Sequence, residues 1–120
     1  MDDEASILKM AGRLLSKMGY ETVTAMEGAL ALELFSEALQ SGRPFKLVIL
    51  DLTIPGGMGG RDTIKEMLKI NPDVTALVSS GYSNDPVMSQ FREYGFKGVV
   101  PKPYTRDDLA TALNQLIKTK

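Results

Sequence analysis

Along the chain, apolar positions alternate between helical spacing and short unbroken runs. Ile7, Leu8, Met10, Ala11, Leu14, Leu15 and Met18 recur at the spacing of one helix face, and Gly19 stops that helix. Tyr20-Glu-Thr-Val-Thr-Ala25 has the composition of a short strand. From Gly28 to Leu39 a second helix is predicted, with Ala31, Leu34, Phe35 and Ala38 on one face, and Ser41-Gly-Arg-Pro44 ends it. Leu47-Val-Ile-Leu50 is then a continuous apolar run, two of its residues β-branched, which reads as a strand buried on both faces. It ends on Asp51 and breaks into the loop Leu52-Thr-Ile-Pro-Gly-Gly-Met-Gly-Gly60.

The second half repeats this rhythm. A helix is predicted over Arg61 to Ile70, closed by Asn71-Pro72, followed by a buried strand from Val74 to Ser79. After a loop from Ser80, Asp85-Pro86 opens a fourth helix in the order of N-cap then first helical residue, and that helix stops near Gly95. Gly98-Val-Val100 is a short strand running into Pro101-Lys-Pro103. Thr105 caps a last helix carrying Leu109, Ala112, Leu113, Leu116 and Ile117. Such alternation predicts an α/β fold with right-handed crossovers and a parallel sheet covered by helices on both faces. One irregularity stands out: the chain opens on a helix, where such folds open on a strand. The expectation is a first strand cut off ahead of Met1, or a fold that does without it.

Composition narrows the chemistry. A length of 120 residues suits one domain, and a net charge of -1 offers no basic face for nucleic acid and no polybasic patch for a membrane. There is no cysteine and no histidine, which excludes disulfides, thiolate metal sites and nucleophiles activated by histidine. What remains is carboxylate, lysine and hydroxyl chemistry. With no apolar run of membrane-spanning length and a Met-Asp-Asp-Glu start unlike a signal peptide, the expected location is cytoplasmic.

In open α/β sheets, chemistry collects beyond the carboxyl ends of the strands. Asp51, Ser80 and Lys102 stand at such ends, with Asp2 and Asp3 near the start. Converging carboxylates repel one another unless a cation intervenes, and Mg²⁺ suits a site of few carboxylates and several waters. Lys102 adds a mobile positive charge and Ser80 a hydroxyl, so the set forms a receptacle for a phosphoryl group with Asp51 as nucleophile. Singly, each residue has a plainer reading: Asp2 and Asp3 as helix-end charges, Ser80 as a turn hydroxyl, Lys102 as a solvated lysine. Asp51 is harder to dismiss, since the end of a buried strand is a costly place for an idle charge. The glycines of residues 56–60 match neither a Walker loop nor a dinucleotide fingerprint, and fit tight loop geometry better. Met10, Met18, Met67 and Met88 read as core filling.

Taken jointly, Asp2-Asp3, Asp51 with Pro55 and Gly59 after it, Ser80-Gly81 and Lys102-Pro103 resemble the response-regulator receiver domain of two-component signalling. The resemblance covers the chain from Asp2 to the last helix and takes residues 1–120 as one domain. It implies a flavodoxin-like doubly wound sheet of order 2-1-3-4-5, whose first strand is largely missing here. It further implies that Asp51 accepts phosphate from a histidine kinase or phosphotransfer domain, with a downstream protein target. Mg²⁺ would be held by Asp3, Asp51 and the backbone carbonyl of Thr53, and by Asp2 through water. Ser80 and Lys102 would contact the phosphoryl group, across a cis peptide at Lys102-Pro103. Enzymic activity would extend at most to self-phosphorylation and autodephosphorylation of Asp51.

Two departures accompany the missing strand. The aromatic that the family often carries three residues before the lysine is Val99, with Tyr82 or Tyr104 as substitutes, and Pro101 stiffens the last loop. The wording around Asp51 and Ser80 is similar to receivers attached to hybrid sensor histidine kinases. A haloacid-dehalogenase-like phosphatase would need a second Asp where Thr53 stands, and cap segments besides. A receiver-like module that binds without phosphorylation is the other alternative.

Overall fold

The computed structural model describes residues 1–81, 85–102 and 104–116. The expectations for Tyr82, the Lys102-Pro103 peptide bond and Ile117 lie outside them. In chain order the elements are α1 (Ala5–Lys17), α2 (Gly28–Gln40), β1 (Val48–Asp51), α3 (Gly60–Ile70), β2 (Ala76–Ser80), α4 (Pro86–Ser89), a 3₁₀ turn (Phe91–Tyr94), β3 (Gly98–Pro101) and α5 (Arg106–Leu116). The strands are parallel and lie in the order β1-β2-β3, with Leu50 opposite Val78 and Val78 opposite Val99. They stand as the last three strands of the implied sheet would.

Helices cover both faces, as the alternation requires. On one face Phe35 of α2, Ile64 and Met67 of α3 and Phe96 pack against Leu50 and Val78. On the other, Leu109 and Ala112 of α5 pack with Leu77 and Val100, and the apolar face of α1 adds Ile7, Met10, Ala11 and Leu14. β2, central among the three, is buried along its whole length.

Three expectations are corrected. Residues 20–25 form no strand: a strand exists only through a ladder, and their one backbone bond toward the sheet runs from the Asp2 N–H to the Ala25 carbonyl, 3.1 Å. β1 is also less enclosed than its apolar run suggested, with Val48 and Ile49 only half-buried. The fourth helix is one turn, broken at Gln90 (φ -115°, ψ 34°) before the 3₁₀ turn. Its start is as expected, with the Asp85 carboxylate accepting the Val87 N–H at 2.9 Å. Gly95, at φ 101°, takes the left-handed conformation that ends the 3₁₀ turn.

The loop after β1 folds back on the strand it leaves. Gly60 N–H donates to the Leu52 carbonyl at 3.1 Å, and Leu52 N–H to the Ser79 carbonyl at 2.8 Å. A Cβ on Gly60 would stand 2.7 Å from the Asp51 carbonyl oxygen, and one on Gly59 2.5 Å from that of Leu52. These glycines let α3 start directly against the end of β1. Gly60→Ala is therefore expected to lower unfolding free energy by about 2 kcal/mol, the scale of overpacking against backbone that cannot yield. Chemical denaturation checks this, and a change within ~0.5 kcal/mol, the ordinary surface range, would contradict it.

Candidate functional site

Because the strands are parallel, their carboxyl ends share one edge, and three of the expected residues meet there. Asp51 closes β1, Ser80 closes β2, and Lys102 follows β3. The Lys102 N–H donates to the Ser80 carbonyl at 3.1 Å, which fixes the start of the last loop beside β2. From there its ammonium reaches Asp51 Oδ1 at 3.1 Å and Asp2 Oδ2 at 2.7 Å. Both carboxylates are nearly sealed from solvent, Asp2 at 2% and Asp51 at 5% exposure.

Asp2 arrives by a different route. Met1 lies against β1, its α-ammonium donating to the Ile49 carbonyl at 2.7 Å and its carbonyl accepting the Asp51 N–H at 2.9 Å. This clamp sets Asp2 beside Asp51. Asp2 Oδ1 also accepts the Glu4 N–H at 3.0 Å, so one carboxylate both turns the chain toward α1 and faces the lysine. Asp2 thus stands both at the start of α1 and against the Lys102 ammonium. Asp3 is half-buried, and its charge is felt at Asp51. Ser80 is buried at 5% exposure, and Thr53 is exposed at the start of the Gly-rich loop.

Burial is the main influence on the Asp51 carboxyl and raises its pKa, the hydrogen bond from Lys102 opposes it, and the charges of Asp2 and Asp3 add to the rise. For Lys102, burial works against the charge, but the carboxylates of Asp2 and Asp51 prevail and hold its pKa above the ordinary value. Burial lowers the pKa of the Met1 ammonium.

Carboxylate oxygens of Asp2, Asp3 and Glu4 lie within 4.8 Å of one another. An all-oxygen donor set, beside an Asp51 whose negative charge is only partly answered by Lys102, fits a hard divalent cation. Glu4 was not expected in this cluster, though its place directly after Asp3 is a signal the sequence carries. The Ser79–Tyr104 pair was also missed. The buried Tyr104 hydroxyl donates to Ser79 Oγ at 2.7 Å, tying the last loop to β2 one residue before Ser80. Burial raises the Tyr104 pKa. Half-buried Val99 occupies the position of the expected aromatic, and Tyr104 is committed inward.

The family model of the response regulator receiver domain matches residues 1–114. The chain belongs to this family and is a receiver domain of two-component signalling. It is 30% identical to the chemotaxis protein CheY of Thermotoga maritima over 119 residues, which cover 98% of this chain and 94% of that one. It is 28% identical over 118 residues to the sensor kinase CckA of Brucella abortus, covering 98% of this chain and 12% of the kinase. The CheY fold in a CheX–CheY–BeF3–Mg²⁺ complex from Borrelia burgdorferi superposes with a TM-score of 0.87 at 18% identity, covering 98% of this chain and 86% of that one. Among the described residues no helix is long and apolar enough to cross a membrane.

An acid whose pKa is raised on folding costs stability when ionised. That cost is full above the folded-state pKa and vanishes below the unfolded value near 3.8. In metal-free buffer at pH 7, Asp51→Asn is therefore expected to unfold a few degrees above the parent, with the gap closing as pH falls toward the unfolded value. A parent more stable than the variant at pH 7 would show that ionised Asp51 is a net stabiliser.

Proposed function

We propose that Asp51 is the phospho-acceptor of a phosphorelay, taking a phosphoryl group from a histidine kinase or phosphotransfer domain. The observation that carries this reading is the Lys102 ammonium set 3.1 Å from Asp51 and 2.7 Å from Asp2 at the shared strand edge. An Asp51 oxygen attacks phosphorus, the bond from phosphorus to the donor histidine nitrogen breaks, and its electron pair returns to the imidazole. Lys102 neutralises charge on the transferring oxygens and Ser80 supplies a hydroxyl to one of them. Asp3, Asp51 and the Thr53 carbonyl would hold Mg²⁺, with Asp2 reaching it through water. The ion would supply charge neutralisation between the acceptor carboxylate and the incoming phosphoryl group.

Support comes from several sides. The elevated Asp51 pKa reflects negative charge gathered in a buried place, which a divalent ion would relieve. The match within a much longer sensor kinase favours a receiver that works inside or beside a kinase chain. A downstream protein would then read the surface formed by α4 and β3, which adjoin Ser80 and Lys102 along the sheet. The net charge of -1 favours a protein over a nucleic acid as that target. The phosphatase alternative lacks its second acid, since Thr53 occupies that position.

Incubation with Mg²⁺ and acetyl phosphate tests the acceptor. Mass spectrometry is expected to find one phosphoryl group on the parent and none on Asp51→Asn; equal labelling of both would reject Asp51. A module that only binds partners would leave the parent itself unlabelled. Asp3→Ala is expected to weaken Mg²⁺ binding, followed by titration, ~10-fold or more, or ~1.4 kcal/mol. Unchanged affinity would return Asp3 to the role of a helix-end charge.

A further inference from the structure

Two consecutive residues of β2 hold the loop that carries Lys102. The Ser80 carbonyl accepts the Lys102 N–H at 3.1 Å, and Ser79 Oγ accepts the Tyr104 hydroxyl at 2.7 Å. The lysine is thus fastened twice, at its own backbone and again two residues further on. Ser79 has a second contact of the same kind. Its carbonyl accepts the Leu52 N–H at 2.8 Å, one residue past Asp51. One buried residue therefore holds the chain leaving Asp51 by its backbone and the chain leaving Lys102 by its side chain.

Side-chain alternation places the Ser79–Tyr104 bond behind the site. Along β2, Leu77 packs with residues of α5 and Val78 with residues of α2 and α3, so Ser79 shares the face of Leu77 and Ser80 that of Val78. The Tyr104 ring accordingly lies in the core with Leu77, Val100 and Leu109, and Ser79 is fully buried. A phenylalanine would fill that core as well; what tyrosine adds is the hydroxyl that reaches Ser79. The charged cluster is close by. Burial leads in raising the Tyr104 pKa, the bond to Ser79 opposes it, and the charges of Asp2, Lys102 and Asp51 also act on the hydroxyl. Lysine is a point charge on a flexible four-carbon stem, so where its ammonium settles depends on how firmly the backbone beneath it is held.

We propose that Tyr104 is a positioning residue for Lys102: its hydroxyl, held by Ser79, fixes the last loop so that the Lys102 ammonium meets Asp51. Phosphoryl transfer to Asp51 then depends on this bond, a consequence that rests on Asp51 being the phospho-acceptor. Tyr104 and Ser79 act through Lys102 and offer nothing to the metal. Tyr104 serves as a fixed tie, and not as a mobile substitute for the aromatic that Val99 replaces.

The test uses the 120-residue chain with Tyr104→Phe, Ser79→Ala and the double variant. Tyr104→Phe keeps the ring in the core. The double variant removes both hydroxyls together, so stability lost in either single variant should largely return in it. Labelling of Asp51 by acetyl phosphate and Mg²⁺, followed by mass spectrometry, is expected to slow ~10-fold or more in all three, the scale of a displaced catalytic group. Mg²⁺ affinity should stay at the parent's value. Nitrogen-15 NMR of the Lys102 ammonium in metal-free buffer reads the positioning without a phosphoryl donor. The parent should show a slowly exchanging signal, as expected of an ammonium bonded to carboxylates, and the three variants should weaken or lose it. A pair that only satisfies two buried hydroxyls would return the labelling rate to the parent's along with stability in the double variant, and that result overturns the proposal. So does a Lys102 signal unchanged in all three variants. If the parent itself takes no label, Asp51 fails as the acceptor, and the Lys102 signal alone decides whether the tie positions the lysine.

Discussion

One lysine ammonium between two buried carboxylates is the constraint around which this edge of the molecule is arranged. Lys102 is half-buried, and its partners Asp2 and Asp51 are almost fully so. Removing the lysine from such a cluster would leave two buried carboxylates uncompensated, which costs far more than a surface pair ever gains. The cluster therefore demands that three separate stretches end at one place: Met1-Asp2 pinned to β1, β1 itself, and the loop after β3. Parallel pairing meets that demand, because each crossover returns the chain to the same edge. The glycines at 59 and 60 belong to the same requirement, since they let α3 begin against the Asp51 and Leu52 carbonyls.

Stability and function pull in opposite directions here. Burial raises the Asp51 pKa, which means that the fold holds the carboxylate at a cost. A charge maintained against the preference of its surroundings is one that a bound cation would relieve. The Ser79–Tyr104 bond, by contrast, is neutral and buried, and it holds the last loop to β2 beside the charged cluster.

How much of this was legible in the sequence depended on the range of the interaction. The βα rhythm put Asp51, Ser80 and Lys102 on one edge, because parallel strands leave no other arrangement. Local capping was readable too, as at Asp85-Pro86 and at Thr105, whose Oγ1 accepts the Asp108 N–H at 3.0 Å. Residues 20–25 had strand composition but make a single backbone bond toward Asp2, and strand formation is a property of ladders. The break at Gln90 left no Gly or Pro signal at that position. Tyr104 and Ser79 meet only because β2 and the last loop are brought together, a contact across 25 residues that no spacing rule announces. Lys102 read alone was a solvated lysine; two carboxylates reaching it from separate stretches make it the centre of the site.

The coupling of Lys102 to Asp51 can be measured directly by carbon-13 NMR titration of the Asp51 carboxyl in metal-free buffer, comparing the parent with Lys102→Met. Lys102 holds the Asp51 pKa down against burial and the neighbouring acids, so its loss should move the titration to higher pH, with Asp51 protonated further toward neutrality. An Asp51 titration at the same pH in both proteins would contradict the account, because it would mean that the lysine at 3.1 Å does not govern the Asp51 carboxylate.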